Sequence, residues 1–102
     1  MEPINTVKIG FKTYVLERPD EIVKVGGEYC GQCSYHESKI LIAGKLEQHE
    51  KNHTLIHEMV HCICDRFSLR ELNKDEQTVD LLALGIYEAI IDNPHIFFMN
   101  NI

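Results

Sequence analysis

The sequence predicts an α+β fold, a small N-terminal antiparallel β-sheet packed on two main α-helices. Three observations predict it. Up to Gly44 the chain is a series of short β-prone runs broken by glycine, proline and polar residues. From Leu46 the apolar residues recur at spacings of three and four, the period of a helix packed on one side. Asn93-Pro94 then ends the helical part, because proline lacks the donor that continues a helix. A chain of 102 residues forms one small domain, residues 1–102.

The elements follow in order. Thr6–Ile9 and residues 13–16 flank Gly10 as a hairpin, and residues 17–27, charged and holding Pro19, Gly26 and Gly27, read as a loop. Residues 28–35 and Lys39–Ile42 read as a second hairpin turning at His36-Glu37-Ser38. The first helix is expected over residues 46–67, with Ile56, Met59, Val60, Ile63 and Phe67 as its stripe. Residues 68–73 form a polar connection. Asn73 is a good N-cap for the second helix, and Glu76 three residues on completes a capping box. That helix runs to Ile91. Residues 95–102, with Ile96, Phe97, Phe98 and Met99, are expected to lie back on the body as an apolar clip.

Charge and cysteines narrow the function classes. A formal net charge of −6, with ten scattered Lys and Arg residues, argues against a nucleic-acid-binding face. No stretch approaches the ~20 apolar residues of a membrane span. The N-terminal residues lack the basic and then apolar regions of a signal peptide, so a soluble, cytoplasmic protein is expected. Its four cysteines are then reduced thiols. Cys30 and Cys33 have the C-x-x-C spacing of a zinc knuckle or redox pair, but a structural zinc needs a second pair. Cys62 and Cys64 point about 160° apart on a helix and cannot supply it. All four read as strand, turn or helix-packing residues.

The chemistry sits in His57-Glu58-Met59-Val60-His61. Residues four apart on a helix lie one turn apart on nearly the same face, so two imidazoles there can grip one metal ion. Glu58 projects beside them toward a metal-bound water. The flanking Leu55, Ile56, Met59, Val60 and Ile63 mark a helix buried in a domain. His49-Glu50-Lys51-Asn52-His53 fits the same pattern, yet its middle residues are lysine and asparagine, which marks a solvated turn. His49 and His61 point about 120° apart, so one ion cannot use all four histidines. His49 and His53 therefore read as surface polar residues.

A catalytic zinc site takes three protein ligands and leaves one position open. The second helix offers Glu76 as third ligand, with Asp80 on the same face to accept a hydrogen bond from a ligand histidine. The competing reading makes Glu76 only a capping residue and Asp80 a solvated one. Glu71 and Asp75 are the fallback ligands.

The HEMVH segment followed by Glu76-Gln77-Thr78-Val79-Asp80 resembles the gluzincins, the thermolysin-type metallopeptidase clan. The closer resemblance is to the small ImmA/IrrE-like metallopeptidases of phages and prophages. Cys30-Gly31-Gln32, residues 55–61, residues 76–79 and Asp92-Asn93-Pro94 carry it, over residues 7–97 or so. The spacing from His61 to Glu76 is shorter than in the larger members, whose DNA-binding or sensor part has no counterpart in these residues.

The resemblance implies a zincin-like domain and a zinc-dependent metallopeptidase. His57, His61 and Glu76 are then the metal ligands, and Glu58 is the general base on a zinc-bound water that attacks a peptide bond of a protein substrate. The hairpin at residues 28–42 is the candidate for binding an extended peptide by strand addition. Tyr29, Tyr35 and His36 are the candidate donors to the developing oxyanion, and the competing reading, favoured for each, is a plain sheet or turn residue. Tyr87 lies about 16 Å along its helix from Glu76, too far for that role. The alternative is a non-catalytic zinc-binding protein that acts through a protein partner.

Overall fold

In the computed structural model, residues 4–97 are described. Six strands precede the helices: β1 (Thr6–Ile9), β2 (Lys12–Glu17), β3 (Ile22–Lys24), β4 (Gly27–Tyr29), β5 (Gly31–Ser34) and β6 (Lys39–Ile42). Helices α1 (Gln48–Phe67), α2 (Arg70–Lys74) and α3 (Glu76–Asp92) follow, then a 3-10 turn at Pro94–Phe97. The architecture is the expected α+β arrangement.

Four strands form the main sheet in the order β1-β2-β6-β5. The β1–β2 and β5–β6 pairs are antiparallel, whereas β2 and β6 run parallel. The sheet is therefore mixed rather than purely antiparallel. The parallel pair is possible because residues 18–30 leave the sheet and return at its far edge as β5, from which a turn leads into β6. The expected 17–27 loop holds β3, which pairs with β4 as a separate two-stranded ribbon. That pairing takes residues 28–29 out of the second hairpin, which shrinks to β5 and β6. The strand begins at Gly31 because only there does the backbone come alongside β6.

One face of the sheet is apolar. Along β2, Tyr14 and Leu16 are buried while Thr13, Val15 and Glu17 face outward, the period of two expected of a half-buried strand. Ile9, Ile40 and Ile42 complete that layer, and Cys62 of α1 packs into it. The opposite side of α1 presents Val60 and Cys64 to Val79 and Ala83 of α3. Cys62 and Cys64 thus serve two separate cores, as their angular separation requires. Helix α1 is the central layer, with the sheet on one side and α3 on the other.

The helix ends differ from expectation in one useful respect. Helix α1 closes at Ser68 in the left-handed region (φ 56°), its N–H returning to the carbonyls of Asp65 and Cys64. The polar connection then forms α2 instead of a coil. Asp75, not Asn73, caps α3: its carboxylate accepts from the N–H of Thr78, 3.1 Å, and from the Thr78 hydroxyl, 2.7 Å. Asn73 and Glu76 are both released from capping. The expected apolar clip is partly described: Ile96 is half exposed on its turn, and residues 98–102 lie outside the described residues. Among the described residues no helix is long and apolar enough to cross a membrane.

Candidate metal centre

Helix geometry places His57 and His61 on the strip of α1 left open between the sheet and α3. The first turns of α3 face that strip. His57, His61 and Glu76 each bring one ligand atom to within 4.8 Å of the others. The Glu76 carboxylate straddles the two rings, 3.2 Å from His57 Nε2 and 2.6 Å from His61 Nε2. His61 is buried, while the Glu76 side chain is 68 % exposed, so the group is walled on the α1 side and open toward solvent.

The rings are held by their other nitrogens. Asp80 Oδ1 lies 2.8 Å from His57 Nδ1. Asn73 Oδ1 lies 2.5 Å from His61 Nδ1. The Asn73 amide also meets the Tyr35 hydroxyl, which lies 3.0 Å from Nδ2 and 3.3 Å from Oδ1. Both acceptors call for a proton on Nδ1. That tautomer leaves the Nε2 lone pairs aimed at the common point, as metal-ligating histidines require. Two imidazole nitrogens and one carboxylate, with a solvent-facing opening, form a donor set that suits a divalent transition-metal ion.

Glu58 is 93 % removed from solvent by a different contact set, being 7 % exposed. It turns toward β5, where the Cys33 thiol is its neighbour. Burial first, then the Cys33 thiol, push its carboxyl up to about 8; the neighbouring His57 charge pulls the other way. Gly31 makes room for it. A Cβ on Gly31 would stand 2.5 Å from Thr54 Cγ2 and 3.0 Å from Glu58 Oε2. His57 is also raised: burial lowers it, but the Asp80 hydrogen bond and the charges of Glu58, Glu76 and Asp80 outweigh that. Tyr35 is pushed up by burial.

Two open lobes meet at the centre. One, of about 410 Å³, runs past Gln32, Cys33, Tyr35, His61 and Asn73. The other, of about 380 Å³, runs past Tyr29, Cys30, His53, His57 and Asp80. Gly31, Glu58 and Glu76 line both. Strand β5 is the edge of the sheet beside this cleft. Cys30 O accepts from Ala43 N, so Gln32 and Ser34 also turn their main-chain groups toward β6. Gly31 and Cys33 then present theirs to the cleft.

The remaining candidates separate. Asp75 is spent on its cap, and Glu71 is exposed outside the His57–His61–Glu76 group. His49 is exposed and bonds Tyr87, 2.9 Å. His53 is less peripheral than expected: its Nε2 sits 3.2 Å from Asp80 Oδ1, so Asp80 serves two histidines. Tyr29 and Tyr35 line opposite lobes, and His36 lines neither. Sequence reasoning missed Asn73. The signal was present, because Asp75 and Thr78 offer an alternative cap three residues apart, and choosing it leaves Asn73 free for His61.

Comparison with protein-family models, with curated proteins and with solved structures finds no match.

Removing an atom that aims a ring should weaken metal binding less than removing a ligand. Asn73→Ala and Asp80→Ala should each lower affinity by roughly 10–100-fold, and Glu76→Ala by more. Competition with a chromophoric chelator measures all three. Wild-type affinity in Asn73→Ala would mean that His61 does not depend on that bond.

The metal-free protein should lose stability as pH rises from 5 toward about 8. Glu58 and His57 both have folded pKa values above their unfolded ones, so each stabilises the fold fully below its unfolded pKa and loses that contribution as pH passes its folded value. Urea unfolding of chelator-treated protein across this window reads the slope. Glu58→Gln should flatten most of it, and an equal slope in that variant would contradict the assignment.

Proposed function

We propose that the chain is a zinc-dependent metallopeptidase that hydrolyses a peptide bond in a protein substrate. The observation that carries this reading is the pairing of a convergent His57–His61–Glu76 group with a buried carboxyl, Glu58, on the neighbouring helix position. A structural zinc site leans on cysteine and four protein ligands and has no use for such a carboxyl. His57, His61 and Glu76 would hold the ion. An ion held there would supply Lewis-acid chemistry, polarising the scissile carbonyl and acidifying water toward a pKa of ~7.

The chain's own residues supply the rest. Glu58 accepts a proton from the attacking water at its carboxylate and passes it to the leaving amine. Asp80 and Asn73 hold the imidazoles against rotation, so the ligand atoms need little rearrangement. The free edge of β5 takes up the substrate as an added strand through Gly31 and Cys33, and the missing side chain at Gly31 keeps Glu58 within reach of it. The resemblance to ImmA/IrrE-like metallopeptidases belongs to the same proposal. So does a cytoplasmic setting, in keeping with four free thiols.

Glu58→Gln separates catalysis from binding. The variant should retain one zinc per chain while cleavage of a peptide library falls by about 10²–10⁴-fold, the usual share of a general base. Mass spectrometry of the digested library and elemental analysis of the same samples give both readings. A wild-type protein that holds zinc and cuts nothing would favour the non-catalytic, partner-binding alternative. Undiminished cleavage by the variant would remove Glu58 from the chemistry.

A further inference from the structure

The two lobes of the cleft differ in charge. In an acidic protein of net charge −6, one lobe carries a pair of cations, Arg70 and Lys74. They stand four residues apart on α2 and so lie on one face of it. Both are exposed, and neither enters an ion pair among the described residues. The acidic groups of that lobe are Glu58 and Glu76, which belong to the centre itself. The opposite lobe holds Glu50 and Asp80 with His53 and, among the described residues, has no lysine or arginine in its lining.

Helix α2 has a fixed position relative to the chemistry. Its Asn73 is tied to His61 and to Tyr35, so the helix that carries the two cations is anchored to a ligand ring and to the end of β5. A group held by Arg70 and Lys74 is therefore held in register with the centre.

We propose that Arg70 and Lys74 bind a carboxylate of the substrate peptide, making this lobe selective for acidic chain segments. The inference rests on the peptidase reading and deepens it. Two exposed cations suit a carboxylate that stays partly hydrated, and the opposite lobe repels one. The same chemistry has two sources, an Asp or Glu side chain or the free C-terminus of a peptide. Strand direction separates them. The cationic lobe lies at the Cys33–Tyr35 end of β5. A peptide added antiparallel to β5 brings its N-terminal part there, so the carboxylate must be a side chain. A peptide added in parallel brings its C-terminal part there, and either source can serve.

The test uses zinc-loaded Glu58→Gln protein, so that peptides bind without being cut, and calorimetric titration at low salt. The probes are short peptides of alanine, serine and glycine. One is uncharged and amidated, one has two glutamates in its N-terminal half, one has them in its C-terminal half, and one has only a free C-terminal carboxylate. At least one carboxylate probe should bind roughly tenfold tighter than the uncharged one, about 1.4 kcal/mol. The gain should shrink with added salt. It should vanish in Arg70→Gln/Lys74→Gln and turn into a penalty in Arg70→Glu/Lys74→Glu. Equal binding of all four probes, no binding of any, or a preference that survives both double variants would overturn the proposal. Cleavage by the wild-type protein is read separately. A carboxylate preference without any cleavage would leave this site standing and defeat the peptidase reading alone.

Discussion

Everything at the centre depends on one constraint: helix α1 is packed on two sides and open on a third. At 100° per residue, Cys62 lies about 140° from His57 in one sense and Val60 about 60° in the other. The first direction is filled by the sheet and the second by α3. His57 and His61 fall on the strip that remains, where α2 and the first turns of α3 meet them through polar side chains instead of apolar ones. Glu58 falls between that strip and the sheet, which is why it is buried against β5 while its neighbours reach the cleft. The geometry of the metal group is thus a consequence of which residues of one helix are apolar.

That arrangement has an energetic cost, and the electrostatics show where it lies. Glu58 is desolvated and pushed up to about 8, and Glu76 and Asp80 both crowd His57. A buried carboxyl without a strong cationic partner destabilises the fold it sits in. In a domain of this size, with its core split between two faces of one helix, that cost is a large share of the whole. A bound divalent ion would offset it, because ligands gathered by folding make metal affinity and fold stability the same free energy. The residues at the centre are those expected of a site built for a charge rather than for stability.

Much of this was legible in the sequence because it follows from period and spacing. The change from period two to a spacing of three and four at Leu46 located α1 to within two residues, and the i, i+4 relation put His57 and His61 on one face. The 100° rule put Cys62 and Cys64 on opposite sides of α1, and the structure packs those sides in separate cores. What was not legible depended on competition between local alternatives or on long-range pairing. Asn73 and Asp75 are both good caps, and only the turn of chain after α2 decides for Asp75. Residues 22–29 carry no alternation strong enough to announce a separate ribbon, since β4 is exposed throughout. The parallel register of β2 on β6 joins residues more than twenty positions apart, and no local pattern encodes it. Gly31 read as part of a Cys-x-x-Cys spacing, although its part in the structure is the space it leaves beside Glu58.

Zinc K-edge X-ray absorption of protein loaded with one zinc per chain reads the identity of the ligand set. With His57, His61 and Glu76 as ligands, the shell should hold nitrogen and oxygen scatterers only, at about 2.0–2.2 Å, with the outer-shell pattern of two imidazoles. A zinc–sulfur distance of about 2.3 Å would show that Cys30 and Cys33 bind the metal instead, and would contradict that ligand set.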